Sequence, residues 1–186
     1  MCINDVKAIL ENYGGNNLSQ YVFLEDKYVY LNQKKDVFFQ YRISGNSVLI
    51  LGTPSGNESS FKDAINEFCS LCDLYNYTPS FMGIREDFIP ILHDMGYHFM
   101  KLGEEATVSL EGFTLQGRKM KSIRNALSRV EKNGCTFEVI YPPFDKQIIE
   151  EFNNISQKWL NGRKEKGFFM GFFDEDYLGL NPIAVV

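Results

Sequence analysis

Apolar and polar residues follow two rhythms along this chain. Val6, Ile9, Leu10 and Tyr13 recur at helical spacing and predict a short helix, stopped by Gly14 and Gly15. The stretches 21–31 and 36–43 are instead rich in β-branched and aromatic residues and predict strands. A turn at Gly45 and Asn46 leads to a third strand over 47–52, so these segments form an antiparallel meander. Residues 53–57 then read as a Pro/Gly loop. The helical rhythm returns over 59–75, with Phe61, Ala64, Ile65, Phe68, Leu71, Cys72 and Tyr75 on one side. A short strand over 80–84 and a helix over 86–95, closed by Gly96, come next. Residues 97–110 hold one further strand or two.

A second unit begins near Gly112. Residues 115–133 predict a strong helix ended by Asn133 and Gly134, followed by a strand over 136–140 with a Pro142–Pro143 exit. Residues 145–160 form another helix with Asp145 as N-cap. A polar, Gly-rich loop carrying aromatics spans 161–176. The stretch 182–186 reads as a buried strand that should lead into a hairpin, which suggests truncation; the alternative is a terminal strand joining the first unit's sheet. The expected organisation is a first unit over 1–110 and the opening part of a second over 111–186.

Composition narrows the function classes. The chain has 186 residues, 44% hydrophobic and 23% charged, which is a globular balance. Its 16 Phe and 10 Tyr imply a core built largely from rings. The net charge is −5, so contact with a nucleic acid or an anionic lipid needs a local patch, not the global field. No secretory signal opens the chain, and the longest aromatic run, 168–173, is far too short to span a bilayer. The expected setting is reducing and cytoplasmic, with free thiols.

The strongest candidate for chemistry is the helix after Gly117. Between Gly117 and Asn133 it carries six basic residues and one acid. On a wheel of 3.6 residues per turn, Met120, Ile123, Leu127 and Val130 share one side. Arg118, Lys121, Asn125, Arg129 and Lys132 lie nearly opposite. One face should pack while the other offers a cationic row to phosphates or anionic head groups; a bare charge run is more often a solvated helix face.

Other segments carry less. Cys69 and Cys72 form a CxxC, but zinc needs two more ligands, and both thiols fall on the apolar side of a helix. His93 and His98 have no evident nucleophile beside them. Adjacent Glu104 and Glu105 point to opposite faces of a strand and cannot form a carboxylate dyad. Residues 53–56 could present N–H groups to an anion, though a simple turn is the commoner use. Trp159, beside the basic run 161–167 and the aromatic run, suits a membrane interface, a stacking site or closure of the core. Walker A, dinucleotide-binding, HExxH and GxSxG patterns are absent.

Several spaced motifs nevertheless resemble one family in the right order. Lys101–Ala106 resembles its strand motif, and Leu115–Arg129 its basic helix. Trp159–Leu160, Lys164–Phe168 and Gly171–Glu175 resemble the segment after that helix, and Pro182–Val185 the strand leading into the catalytic half. Glu25–Lys27 and Leu51–Gly56 are similar to more diffuse features, with Thr53 departing from a position more often acidic. The family is the phosphatidylglycerol lysyltransferases, or aminoacyl-phosphatidylglycerol synthases, in their soluble C-terminal domain.

The resemblance implies an α/β fold of the α+β kind: a GNAT-like acyltransferase lobe with a mixed, largely antiparallel sheet, followed by the start of a second such lobe. It implies transfer of lysine or alanine from aminoacyl-tRNA to phosphatidylglycerol at the cytoplasmic side of the bacterial membrane. A membrane-embedded flippase segment is expected in the full-length protein. The lipid becomes less negative, which weakens attraction to cationic antimicrobial peptides. No metal or redox cofactor is implied. Arg118, Lys121, Arg129 and Lys132 become the candidate tRNA or lipid-phosphate contacts. No catalytic residue is assigned, since the reacting centre is expected past Val186, and the chain alone is expected to be an inactive fragment. Two other readings stay open: a non-catalytic tRNA- or membrane-surface-binding module, and an acyltransferase acting on peptidoglycan precursors or small amines.

Overall fold

The computed structural model describes residues 3–186. Helix α1 (Ile3–Tyr13) buries Val6 and Ile9 against Val22 and Phe38. It ends at Gly14, which takes a positive φ of 76° and donates its N–H to the Leu10 carbonyl. The next segment departs from expectation. The strand predicted over 21–31 is a 3₁₀ turn at Ser19–Leu24 followed by the short strand β1 (Tyr28–Leu31). Local bonding explains this: the Asn16 N–H donates to Ser19 Oγ, the Leu18 N–H donates to Asn16 Oδ1, and Asn16 Nδ2 donates to the Thr53 carbonyl. Ser19 and Val22, three apart, are among the residues this turn buries.

Strands β1, β2 (Val37–Ser44) and β3 (Ser47–Gly56) form the expected antiparallel meander. β3 runs on through the stretch predicted as a loop. Phe38 pairs with Ser55, but Gln40 pairs with Leu51, so Gly52, Thr53 and Pro54 face Phe39 alone. Pro54 is tolerated because it sits in this bulge, where a missing N–H breaks no ladder bond. Gly52 supplies the positive φ of 73° there. Helix α2 (Phe61–Leu74) then crosses over to β4 (Thr78–Met82), which lies parallel to β3 and completes a four-stranded sheet in the order β1-β2-β3-β4. The sheet is mixed and largely antiparallel.

The core of this part is aromatic. Phe68 on α2 meets Phe39 at 4.7 Å, Tyr30 at 4.9 Å and Tyr41 at 5.1 Å between ring centroids. Cys72 is buried beside them, and Cys69 meets the Tyr97 hydroxyl at 3.2 Å, so the CxxC is packing. Burial pushes the Cys72 thiol up to about 11. Cys2 lies outside the described residues. A second tie joins the β1–β2 turn to the start of α2: Asp36 accepts from Asn32 Nδ2 (2.7 Å), Asn57 Nδ2 (3.0 Å) and Ser60 Oγ (2.8 Å). Partial burial alone would raise the Asp36 pKa, but these donors stabilise the anion and hold it below the usual value.

A 3₁₀ turn at Glu86–Phe88 and helix α3 (Ile89–Asp94) come next, ending near Gly96 as expected. No strand forms over 97–110. Apolar content supplies propensity, but a strand needs a neighbour for its N–H and C=O groups, and no described strand pairs with this segment. Helix α4 (Lys121–Lys132), strand β5 (Glu138–Ile140), helix α5 (Lys146–Leu160), the short helix α6 (Glu175–Leu178) and strand β6 (Ile183–Val185) complete the described chain. Asp145 caps α5 as predicted, accepting from the Ile148 N–H at 2.9 Å. β6 pairs antiparallel with β5, not with the first sheet. The buried apolar side chains lie between Val6 and Leu92, apart from Leu160.

Phe68→Ala should destabilise the chain by about 3–5 kcal/mol in urea unfolding, since three rings are left without their common partner. Asp36, its folded pKa depressed, contributes stability that is present above the ordinary carboxylate pKa and lost as pH falls through the folded value. Asp36→Asn should therefore flatten the acid limb of a stability–pH curve over that window.

Candidate functional site

The predicted cationic helix forms in two pieces. A 3₁₀ turn at Arg118–Met120 leads into α4. Side chains three apart eclipse in a 3₁₀ turn, so Arg118 stands in line with Lys121. Lys121, Asn125, Arg129 and Lys132 then continue the row along α4, spanning about 16 Å at 1.5 Å per residue. All five side chains are exposed. Among the described residues, Arg118, Lys121, Arg129 and Lys132 make no side-chain hydrogen bond or ion pair, so four cations stand together without local neutralisation.

Arg124 differs from these. Its guanidinium donates to the carbonyls of Leu115 and Gly117 (2.8 Å to the latter) and fixes the bend by which the chain enters the helix. The opposite face was expected to pack, yet Ile123, Leu127 and Val130 remain 47%, 45% and 38% exposed. The β5–β6 sheet has three residues in each strand and offers little surface to cover them.

The other candidate residues lie in ordinary structural roles. His93 is exposed, 3.8 Å from Asp94, and His98 is exposed outside any strand. Glu104 pairs with Lys101 at 2.5 Å, and Glu105 accepts from Asn17 Nδ2 at 2.6 Å. Thr53–Gly56 offers no anion cradle: it is the buried end of β3, where Thr53 Oγ1 accepts from the Arg85 N–H at 3.0 Å. Among the described residues no group of three His, Cys, Asp or Glu side chains could hold a metal ion.

A second constellation escaped residue-by-residue reading. Lys27, with 1% of its side chain exposed, pairs with Asp26 and donates at 3.1 Å to the Phe168 carbonyl, 141 residues away. The Phe168 N–H donates back to Asp26 Oδ2 at 2.7 Å. Lys27 Nζ also lies 5.7 Å from the Tyr21 ring centroid. Burial lowers the Lys27 pKa, and the Asp26 carboxylate opposes that shift. No linear spacing reveals this contact. The available signal was that Glu25–Lys27 and Lys164–Phe168 both belong to the resembling motifs.

An open apolar hollow of about 430 Å³ lies along α5. Phe152, Ile155, Trp159, Phe173, Leu178 and Ile183 line it, with Ser156 the one polar member. No described helix is long and apolar enough to cross a membrane.

Comparison with known proteins places these features. Residues 7–186 match the family model described as phosphatidylglycerol lysyltransferase, C-terminal. The chain is 38% identical over 179 residues to the phosphatidylglycerol lysyltransferase of Staphylococcus epidermidis, covering 96% of this chain and 21% of that protein. It is 35% identical over 184 residues to that of Staphylococcus aureus, covering 99% and 22%. The solved L-PGS from Bacillus licheniformis superposes with a TM-score of 0.92 at 42% identity, covering 98% of this chain and 58% of that one. A solved C-terminal domain from Agrobacterium fabrum gives 0.89 at 30% identity, covering 98% and 59%. The chain thus spans about a fifth of the length of the curated relatives it matches. It belongs to the phosphatidylglycerol lysyltransferase family, within the family's C-terminal domain.

Proposed function

We propose that this chain is part of an aminoacyltransferase that moves lysine or alanine from aminoacyl-tRNA to phosphatidylglycerol at the cytoplasmic side of the bacterial membrane. The observation that carries the reading is family membership along residues 7–186. We read 1–110 as a first GNAT-like lobe and 111–186 as the opening part of a second, with a membrane-embedded flippase segment elsewhere in the complete protein.

The chemistry exchanges one ester for another. A glycerol hydroxyl oxygen attacks the aminoacyl carbonyl, the bond to the tRNA ribose oxygen breaks, and the hydroxyl proton passes to that oxygen. The protein must hold the two substrates together and stabilise the oxyanion. Both substrates carry phosphates, so an un-neutralised cationic row in a chain of net charge −5 has a use. Arg118, Lys121, Arg129 and Lys132 are assigned to phosphates of tRNA or lipid. The reaction reduces the negative charge of the lipid and so the attraction of cationic peptides.

The test incubates the complete protein with phosphatidylglycerol vesicles and tRNA charged with labelled lysine or, separately, alanine. Label should enter the lipid fraction with one donor. Label in neither lipid sample, or in a soluble acceptor instead, overturns the reading. Replacing Arg118, Lys121, Arg129 and Lys132 together by Glu should weaken tRNA binding and reduce the slope of log affinity against log salt by about 3, at roughly 0.7–0.9 for each phosphate no longer neutralised. An unchanged slope removes the row from the site.

A further inference from the structure

The clamp at Lys27 bonds the part of the chain read as the first lobe to the part read as the second. Among the described residues, the two bonds between Asp26–Lys27 and Phe168 are the side-chain hydrogen bonds that cross from 1–110 to 111–186. Around them the segment 167–177 lies along the segment 21–27. The Tyr21 ring has the Lys27 ammonium 5.7 Å from its centroid and meets the Tyr177 ring edge-on at 6.4 Å. A Cβ added at Gly171 would stand 3.8 Å from the Tyr21 ring, and one at Gly167 would stand 3.0 Å from Asp26 Oδ2. Gly167, Phe168, Gly171 and Tyr177 are half-buried by these neighbours. The contacts are made within the chain itself, whatever else covers the faces of α4 and α5.

Stability alone does not account for this arrangement. A buried ion pair at best roughly offsets its own desolvation, and apolar side chains of similar volume often stabilise a fold better. Phe168 adds a positive φ of 60° directly after Gly167, also at 60°, a conformation that a non-glycine residue keeps only when its surroundings hold it there. What the ion pair supplies is direction. One Asp26 oxygen accepts the Phe168 N–H, and the ammonium held at the other oxygen donates to the Phe168 carbonyl. The N–H and the carbonyl of one residue are gripped together, so the loop docks in one backbone conformation and one register. Such strain, maintained by a specific tie, points to placement as the role. Transfer between two large substrates depends on placement: a shift of about 1 Å caused far from the chemistry can cost roughly 100-fold in rate.

We propose that Asp26 and Lys27 are positioning residues for the transfer reaction: acting through the Phe168 backbone, they hold the loop at 167–171 in the one register on the segment 21–27 in which transfer proceeds. The proposal rests on the aminoacyltransferase reading.

The test variant is Asp26→Leu/Lys27→Met in the complete protein. It keeps the volume of both side chains and leaves no buried charge without a partner, so the first sheet keeps its fold. Trypsin cleavage under native conditions after Arg163, Lys164 and Lys166, three exposed sites beside the loop, reports whether the loop is held. It should speed up in the variant, while cleavage within α4 keeps its rate. Label transfer at saturating tRNA and phosphatidylglycerol should show kcat lower by roughly 100-fold, with KM for both substrates unchanged. Gly167→Ala disturbs the same contact from the loop side without altering the first sheet, and it should move both readouts in the same direction. Asp36→Asn loosens the first sheet away from the loop and should leave both readouts as in the wild type. Unchanged trypsin cleavage in both loop variants overturns the proposal, because something else then holds the loop. So does a freed loop with kcat intact, a rise in KM alone, or an equal fall of kcat in Asp36→Asn, which makes the effect one of stability. Transfer by wild type and variants alike removes the positioning role and leaves the function standing. A wild type that labels no lipid with either donor overturns the function reading itself, and the proposal with it.

Discussion

Lys27 gives up its water to reach the backbone of a residue 141 positions away, and the placement of the loop after α5 depends on that contact. An isolated ammonium removed from solvent would be costly. Asp26 beside it and the Phe168 carbonyl supply the compensation, and the Phe168 N–H closes the ring of bonds through the other oxygen of Asp26. Each partner is satisfied only when the other is present, so the segment before β1 and the loop after α5 are fixed together. The loop gains a defined backbone at Gly167 and Phe168, and Gly171 lies 3.8 Å, measured from an added Cβ, from the Tyr21 ring.

The distribution of burial complements this tie. An aromatic core around Phe68 stabilises the four-stranded sheet, and the later elements carry their apolar faces half in solvent. The charge distribution is equally uneven. An acidic chain concentrates cations on α4 and at the end of α5, and of the six bases around α4 Arg124 is the one used up on backbone carbonyls. Such concentration is what a protein needs to meet polyanions without being basic overall.

Much of this architecture was legible in the chain. The meander, α2, the Asp145 cap and the α4 row all arise from periodicity and capping chemistry, because each is set by neighbours within a few residues. The misses have a common cause. Residues 21–24 have strand-like composition, but Asn16 and Ser19 bond the local backbone and win a 3₁₀ turn. Pro54 and Gly52 read as loop, yet a bulge lets β3 carry both. Residues 97–110 have strand propensity and no strand partner among the described residues. The exposed face of α4 could not be read from its wheel, because a wheel shows amphipathicity and not what covers it. The Lys27–Phe168 contact joins two short motifs that no spacing rule connects.

The central claim is that the un-neutralised row on α4 meets the phosphates of tRNA or lipid. A photoreactive residue in place of Asn125, the uncharged member at the middle of the row, tests it directly in the complete protein with both aminoacyl-tRNA and phosphatidylglycerol vesicles present. The account predicts cross-links to tRNA or to lipid that high salt abolishes. Cross-links to neither would contradict it.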